Sequence, residues 1–493
     1  MKNLYTYLFL IPVLLILSGC ADEYLDEPPE YSIDSENFFN SEDDYDQALI
    51  AAYDLLAAVG YVTTITSEIA SDNVEAGGES ATDVIAWQEI NTMAHTPVND
   101  QLRNIWNWNY AGINRCNYIF EFQDKTDFEG RTQVLAETAF LRAYYYFQLV
   151  KFFGDLPMPL DKRVLFGEAS ELPRLPKAEV YTQIETDLTF AAANLNPIAS
   201  QAGRATRGAA LALLGKVHLY QDEFDDAATQ LQTVINEGQY DLFGDITSLF
   251  LDQNENNIES VFEIQYSNAQ GASFECLQCS EGNVMIGFSG IRGYSGPVYA
   301  SGFSFNVPRQ ELVDDFEAGD LRFGATILDI DEWIIANPGP DDDPTTFVEG
   351  FDHTGYFNNK YLPRQGEADQ PDVNLTYPNN IRQIRYADVL LMAAEALNRG
   401  SGDDAQALAY VNQVRARAGL STITVSGNEL TQAIYQERRV ELAGEGHRFF
   451  DLVRTGNAAA EIDGFQVGKH EVFPIPLIEI QLGGDVWPQN ANY

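Results

Sequence analysis

Residues 204–240 read "RATRGAALALLGKVHLYQDEFDDAATQLQTVINEGQY", and this stretch decides the fold class. Its apolar and small side chains recur at helical spacing in two successive segments, which predicts two helices. Gly215 and Ala227 are small residues that allow the two helices to approach closely. Asp225 and Asp226 mark the start of the second helix, since acidic side chains are favoured in a first helical turn. The stretch therefore predicts a packed helix–turn–helix unit.

The same pattern recurs in residues 384–420, which read "IRYADVLLMAAEALNRGSGDDAQALAYVNQVRARAGL". Small residues again recur along the first helix, and Asp-Asp-Ala again opens the second helix, at Asp403. Two units of this kind are typical of tetratricopeptide-like repeats. Two unrelated helical hairpins are the alternative, and they would give the same fold class. We expect an all-α-dominated protein, with a tetratricopeptide-like helical scaffold and minor β structure.

The rest of the chain divides into helical blocks and an irregular insert. Further helices are predicted at residues 41–59, 99–122, 131–153, 177–195 and 430–453. Residues 258–266 alternate like a strand, and the segments that follow are rich in Gly, Ser, Pro and aromatic residues. Long irregular segments of this kind are usually functional or disordered. We expect a single domain at residues 41–493, with helical repeats at about 41–240 and 380–455 and a loop-rich, ligand-binding insert at about 258–378.

The N-terminus has the layout of a secretory signal peptide, with one positive charge followed by a short apolar run. This run is shorter than the roughly 20 residues of a membrane-spanning helix. It ends in Leu17-Ser18-Gly19-Cys20, which resembles the bacterial lipobox and implies cleavage before Cys20 and acylation of its thiol. We expect a signal peptide at residues 1–19 and a lipidated, acidic tether at residues 20–40. A buried cysteine at the end of a core strand is the alternative.

The chain is strongly acidic, with 74 Asp and Glu residues, 29 Lys and Arg residues and a formal net charge of −45. This charge opposes binding to nucleic acid, whose phosphates would be repelled. It also opposes a polyanionic ligand and weakly favours a neutral one. Hydrophobic residues make up 45% of the sequence, which is ample for a core.

Cysteine is sparse, with four residues in the chain. If Cys20 is lipidated, the remaining Cys116, Cys276 and Cys279 are too few for a disulfide-stapled fold. Cys276 and Cys279 have the spacing of a metal or redox pair, but no second such pair and no His pair accompanies them. A local disulfide is favoured over zinc, and the sequence leaves open whether it forms. We expect no metal and no cofactor.

Four stretches together resemble the SusD/RagB family of Bacteroidetes outer-membrane nutrient-binding lipoproteins. They are "AFLRAYYYFQLVKFFGDLPMPL" (139–160), "IRYADVLLMAAEAL" (384–397), "ERRVELAGEGHRFFDLVRTG" (437–456) and "FPIPLIEIQL" (473–482). The resemblance implies four tetratricopeptide-like units with a loop-rich region packed against them. It also implies a lipid-anchored protein on the outer face of the outer membrane. Such a protein binds oligosaccharide or polysaccharide and passes it to a TonB-dependent, SusC-like transporter.

The signature motifs are interpreted as scaffold rather than as catalytic machinery. In residues 437–456, His447 has Glu445 and Asp451 as possible acid–base partners, but the motif contains no nucleophile and no metal partner. We therefore predict no catalytic residues and no enzyme activity. A glycoside hydrolase with paired carboxylates is one alternative. A tetratricopeptide-type binder of peptide or glycoprotein cargo, serving the same kind of transporter, is the second.

A sugar site needs exposed aromatic planes for stacking and polar side chains at their edges for hydrogen bonds. Two regions, 67–91 and 288–306, have this composition, and the resemblance implies that the same two regions line the glycan site. Trp87 is the leading candidate, with a tryptophan that packs its loop onto the body as the alternative. The ligand-binding candidates are Asp72, Asn73, Trp87, Gln88, Tyr294, Tyr299 and Phe303.

Overall fold

The computed structural model describes residues 38–493 apart from 161, 166, 270–272, 369–371, 401 and 485. The predicted signal peptide, the lipidation site Cys20 and most of the acidic tether lie outside the described residues. Those interpretations therefore stay predictions.

Helices dominate the described residues, and the prediction of an all-α-dominated fold is confirmed. The helices are α1 (Glu42–Ile69), α2 (Ile85–Asn91), α3 (Asp100–Glu121), α4 (Arg131–Phe153), α5 (Lys177–Asn194), α6 (Arg207–Leu219), α7 (Phe224–Glu237), α8 (Val284–Ser289), α9 (Gln310–Asp314), α10 (Arg322–Thr326), α11 (Ile330–Ala336), α12 (Tyr386–Arg399), α13 (Asp404–Arg417), α14 (Asn428–Glu441), α15 (Arg448–Arg454), α16 (Ala458–Glu461) and α17 (Leu477–Leu482).

The β structure is minor and consists of short strands. They are β1 (Val74–Gly77), β2 (Leu156–Pro157), β3 (Arg174–Leu175), β4 (Ser260–Ile264), β5 (Ile291–Arg292), β6 (Ser301–Gly302), β7 (Phe305–Pro308), β8 (Ile327–Asp329), β9 (Tyr356–Asn358) and β10 (Ile381–Arg385). They form two-stranded sheets, namely β1–β7, β2–β3, β4–β10, β8–β9 and the parallel pair β5–β6. The strand predicted within 258–266 is β4.

The scaffold is built from consecutive helix pairs, and both predicted helix–turn–helix units are present as α6–α7 and α12–α13. Helices α1 and α3, and α4 and α5, pack in the same way. A Cβ atom at Gly215 would lie 2.5 Å from Cγ of Leu231, so only glycine allows α6 to approach α7 this closely. The small residues of the repeat therefore serve helix packing, as the sequence predicted.

Helix α1 continues well beyond the predicted end at Val59. Its C-terminal half contains Thr63 and Ser67, whose hydroxyls donate to the carbonyl oxygens of Val59 and Thr63 at 2.7 and 2.6 Å. Because each hydroxyl donates to a carbonyl oxygen of its own helix, it can be buried without leaving an unpaired donor. Helix α1 is long and apolar enough to span a membrane, but most of its residues are buried in the protein core.

The single helix predicted at 430–453 is wrong, because the structure divides it into α14 and α15. Gly444 and Gly446 between them have φ values of +81° and +82°, a left-handed conformation that favours glycine and ends a helix. The break turns the backbone N–H of Gly446 toward Glu68, whose Oε1 accepts its hydrogen bond at 2.6 Å. The chain reversal thereby ties this signature segment to α1.

Buried ion pairs occupy the centre of the signature segments. The Arg385 guanidinium donates to Glu441 Oε1 at 2.9 Å and to both oxygens of Glu445 at 2.7 Å. Lys360 Nζ also donates to Glu445 Oε1 at 2.7 Å. Because Glu445 is fully engaged, it is not an acid–base partner of His447, and Asp451 is likewise paired with arginines. These contacts agree with the scaffold interpretation.

Candidate functional site

The two regions that the sequence singled out for ligand binding lie together in the structure. Strand β1, from the first region, pairs antiparallel with β7, beside the second, and Gly77 lies opposite Phe305. The Gly78 N–H donates to the carbonyl oxygen of Ser304 at 2.7 Å. Gly77 has a φ of +73°, and a Cβ atom there would lie 2.1 Å from Ser304 O. Only glycine permits this close approach of the two loops.

Trp87 lies beneath this junction rather than on its surface. Its side chain is 1% exposed and packs edge-to-face against Phe288 and Phe305, with ring centroids 5.0 and 4.9 Å away. The expectation of an exposed tryptophan platform is therefore corrected. The structure has the alternative arrangement, in which the indole packs the loop onto the body.

Asp72 and Asn73 are also internal. The Arg448 guanidinium donates to both carboxylate oxygens of Asp72 at 2.8 Å, and Arg439 lies 3.0 Å from it. Burial alone would raise the pKa of Asp72, but these two arginines outweigh it and lower the pKa. The side-chain oxygen of Asn73 accepts from Arg439 Nε at 3.0 Å. These polar groups hold the loop to α14 and α15, so the expectation that they face a ligand is corrected.

Tyr294 and Tyr299 belong to a small aromatic cluster with Trp333. The indole N–H of Trp333 donates to the Tyr294 hydroxyl at 2.9 Å, and that hydroxyl donates to Pro297 O at 2.8 Å. Tyr294 and Tyr299 are 7% and 5% exposed. Since their rings and hydroxyls are used inside the protein, the expectation of exposed stacking surfaces is corrected for both.

Gln88 and Phe303 are the two candidates that keep part of their surface in solvent. Phe303 packs with Phe288 at 5.8 Å and with Phe274 at 5.7 Å between ring centroids. The side chain of Phe274 is 55% exposed, which makes it the most exposed aromatic among the described residues. We call Phe274, Phe288 and Phe303 the aromatic ledge.

A polar rim lies beside the aromatic ledge. The Arg292 guanidinium donates to Phe303 O at 2.9 Å, which fixes it against the ledge. It also lies 3.4 Å from Asp83 Oδ2 and 3.7 Å from Glu79 Oε2, so its charge is locally balanced. Gln88 donates its amide to Gly77 O at 2.7 Å. An exposed aromatic side chain with hydrogen-bonding groups beside it is suited to a neutral, hydroxylated ligand.

Sequence reasoning missed Phe274, Asp83 and Arg292. Phe274 lies close to Cys276 and Cys279, which form a disulfide in the structure, so the pair that the sequence left open is joined. A bulky aromatic beside a disulfide-closed loop was a usable signal. Arg292 was detectable as a rare basic residue in an acidic chain.

The described residues contain one trio with metal-ligand chemistry, formed by Glu185, His218 and Glu223. Their ligand atoms lie within 4.8 Å of one another. His218 Nδ1 is 2.7 Å from a Glu223 oxygen, and Glu185 accepts from Gln221 at 2.6 Å. The trio is on the helical scaffold and touches none of the ledge residues.

Two family models match the chain. Residues 337–472 match the model described as the SusD family, and residues 23–219 match one described as "Starch-binding associating with outer membrane". SusD-like protein P2 of Formosa agariphila is 29% identical, with 98% of each chain covered.

Solved structures share the whole architecture. A laminarin binding SusD-like protein superimposes with a TM-score of 0.84 at 36% identity, covering 92% of this chain and 100% of that one. Surface glycan-binding protein A from Bacteroides thetaiotaomicron, solved in complex with laminarihexaose, gives a TM-score of 0.82 at 27% identity with the same coverage. Both are named as binding proteins and not as enzymes.

Proposed function

The chain belongs to the SusD family, and from that premise we propose that it is a cell-surface glycan-binding lipoprotein that delivers its ligand to a TonB-dependent, SusC-like transporter. It is a binding protein rather than an enzyme, in keeping with its relatives. The observation that carries the proposal is the similarity to the laminarin binding protein, which extends over that protein's entire chain.

We take laminarin, a neutral glucan, as the ligand class. A neutral polymer avoids the repulsion that the net charge of −45 would exert on a uronic or sulfated glycan. Glucose rings offer apolar C–H faces for stacking and hydroxyls for the polar rim. The C–H faces match the aromatic rings of the ledge, and the hydroxyls match the polar side chains beside it.

The aromatic ledge is the proposed glycan site. Phe274 and Phe303 would stack against glucose rings, while Gln88, Asp83 and Arg292 would bond to hydroxyls at the edge. The other sequence candidates would lie beneath this surface and hold its loops in place; they are Asp72, Asn73, Trp87, Tyr294 and Tyr299. This division rests on exposure, since a side chain must reach the ligand to bind it.

Anchoring and delivery complete the proposed function. Cys20 would carry the lipid that holds the protein on the outer membrane, an association supported by the description of the N-terminal family match. The acidic tether would separate the body from the bilayer, and the SusC-like transporter would receive the glycan.

Affinity electrophoresis in gels containing laminarin tests the proposed site. The full-length chain, in a detergent without a sugar head group, should be retarded by laminarin. Phe274→Ala should weaken this retardation by about tenfold in apparent affinity, since losing the apolar contact of one exposed phenylalanine costs on the order of 1.4 kcal/mol. Phe190→Ala is the matched control, because Phe190 is also exposed, at 39%, but lies on α5.

Two outcomes would count against the proposal. If Phe274→Ala and Phe190→Ala behave alike while the unmodified chain is retarded, the ligand site lies elsewhere. If the unmodified chain is not retarded by laminarin or by starch, weight moves to peptide or glycoprotein cargo.

A further inference from the structure

A cavity of about 330 Å³ is bounded by α3 and α17, and its remaining lining residues are Pro157, Pro159, Val164, Ala169, Leu172 and Trp487. It shares no lining residue with the aromatic ledge. Its volume is at the lower end of the range for small-molecule sites. It is therefore a second candidate site, distinct from the proposed laminarin surface.

Three aromatic rings form the cavity wall. Trp106 lies 4.9 Å from Tyr110 and 6.0 Å from Trp487 between ring centroids, with interplanar angles of 48° in both cases. Trp106 and Trp487 are 3% and 7% exposed. Both tryptophan rings line the cavity, so a ligand inside the cavity would contact them.

Polar groups without partners lie on the same wall. The Trp106 indole N–H and the Asn107 side-chain amide make no hydrogen bond with any described residue. Although Trp106 is almost wholly buried, its indole nitrogen is not completely sealed from solvent. Glu479, whose side chain is 13% exposed, uses Oε1 to accept from Arg103 at 3.0 Å, and its other oxygen has no partner among the described residues.

Internal hydrogen bonds hold the wall in place. The Tyr110 hydroxyl donates to Pro157 O at 2.7 Å, and the Trp487 indole N–H donates to Leu172 O at 2.7 Å. The Asn114 side chain bonds both backbone groups of Val164, at 2.7 and 3.4 Å. A site fixed in this way loses little entropy when a ligand enters.

We propose that this cavity binds a short neutral saccharide, as a second carbohydrate site. An aliphatic occupant would leave the Trp106, Asn107 and Glu479 groups unpaired, which costs free energy, whereas a sugar supplies hydroxyls to each. The Arg103 pairing balances the Glu479 charge, and no free cation among the described lining residues would attract an anionic sugar.

Fluorine NMR on the full-length chain labelled with 5-fluorotryptophan tests the proposal, with laminaribiose as the probe. The chain has five tryptophans, so at most five signals are expected, and the signal that disappears in Trp106→Phe is that of Trp106. Laminaribiose should shift the Trp106 signal in a saturable way. Asn107→Ala should weaken the apparent affinity about fivefold, the effect of one neutral hydrogen bond.

Asn104→Ala is the matched control, because Asn104 is on the same helix but does not line the cavity. Glu479→Gln provides a second variant if Asn107→Ala does not fold. A Trp106 signal that stays fixed, or equal affinities for Asn107→Ala and Asn104→Ala, would overturn the second site.

The two proposals fail separately. Phe274→Ala should leave the Trp106 response intact, and its loss in that variant would mean that there is a single site. Retardation by laminarin without a Trp106 shift would remove only the second site. A Trp106 shift without retardation would remove only the ledge site.

Discussion

At the scale of single residues, Glu68 is the clearest case of a charge that the fold penalises. It is fully buried on α1, and only Oε1 has a partner, the backbone N–H of Gly446. Burial raises the pKa of Glu68 to about 7. The folded protein therefore holds this proton at pH values where the unfolded chain, with a carboxyl pKa of about 4.3, has lost it.

The pH dependence of stability follows with a defined sign. The stabilising effect of the Glu68 proton is complete below the unfolded pKa and is lost as pH rises through about 7. Relative to Glu68→Gln, the free energy of unfolding of the parent chain should fall by up to about 3 kcal/mol between pH 4.5 and 8. Denaturant unfolding at several pH values measures this difference.

Glu129→Gln serves as the control, since Glu129 is exposed and makes no described ion pair. Its difference from the parent chain should be flat over the same pH range. A flat difference for Glu68→Gln as well would mean that the carboxyl is solvated in the folded protein.

At the scale of elements, the short helix α2 supports the ledge by packing Trp87 edge-to-face against both Phe288 and Phe305. Trp87 is about two hundred residues away from Phe288 and Phe305 in sequence. Its indole therefore joins α2 to a distant part of the chain. Removing it leaves a cavity at the β1–β7 junction.

Trp87→Ala should lower the free energy of unfolding by about 3–5 kcal/mol, the usual cost of deleting a large buried aromatic. Trp333→Ala is the matched control, and it should cost less because Trp333 is only partly buried. Denaturant unfolding compares the two. Equal costs would show that α2 contributes no more to stability than a peripheral cluster does.

At the scale of the whole molecule, the proposed function makes attachment to the membrane depend on Cys20. The body carries a large negative charge, which would keep it away from an anionic membrane surface without an anchor. Cys20→Ser should therefore move the protein from the membrane fraction to the soluble fraction, measured by centrifugation and immunoblotting. Ser18→Ala is the control, because it changes the predicted lipobox but keeps the Cys20 thiol.

The transporter should co-purify with the parent chain from detergent-solubilised membranes. A Cys20→Ser protein that stays with the membranes would argue against lipid anchoring. A parent chain that brings down no outer-membrane transporter would argue against the proposed delivery step.

Local sequence patterns were sufficient to predict the helical scaffold. The repeats at 204–240 and 384–420 depend on local periodicity and on small residues at fixed spacing, so both units could be predicted. The break between α14 and α15 was not predicted, because a glycine in a helical pattern reveals its positive φ only when the chain around it is placed. The family resemblance was likewise visible in ordered motifs.

Which candidate side chains reach solvent depends on long-range packing, which the sequence did not reveal. The sequence singled out the regions 67–91 and 288–306 as ligand-binding candidates, and the structure joins them through β1 and β7. Trp87, however, is buried and Phe274 is exposed. An aromatic ring has the same apolar chemistry whether it packs a core or binds a sugar. Its exposure is set by contacts with residues far away in sequence, and local spacing carries no record of them.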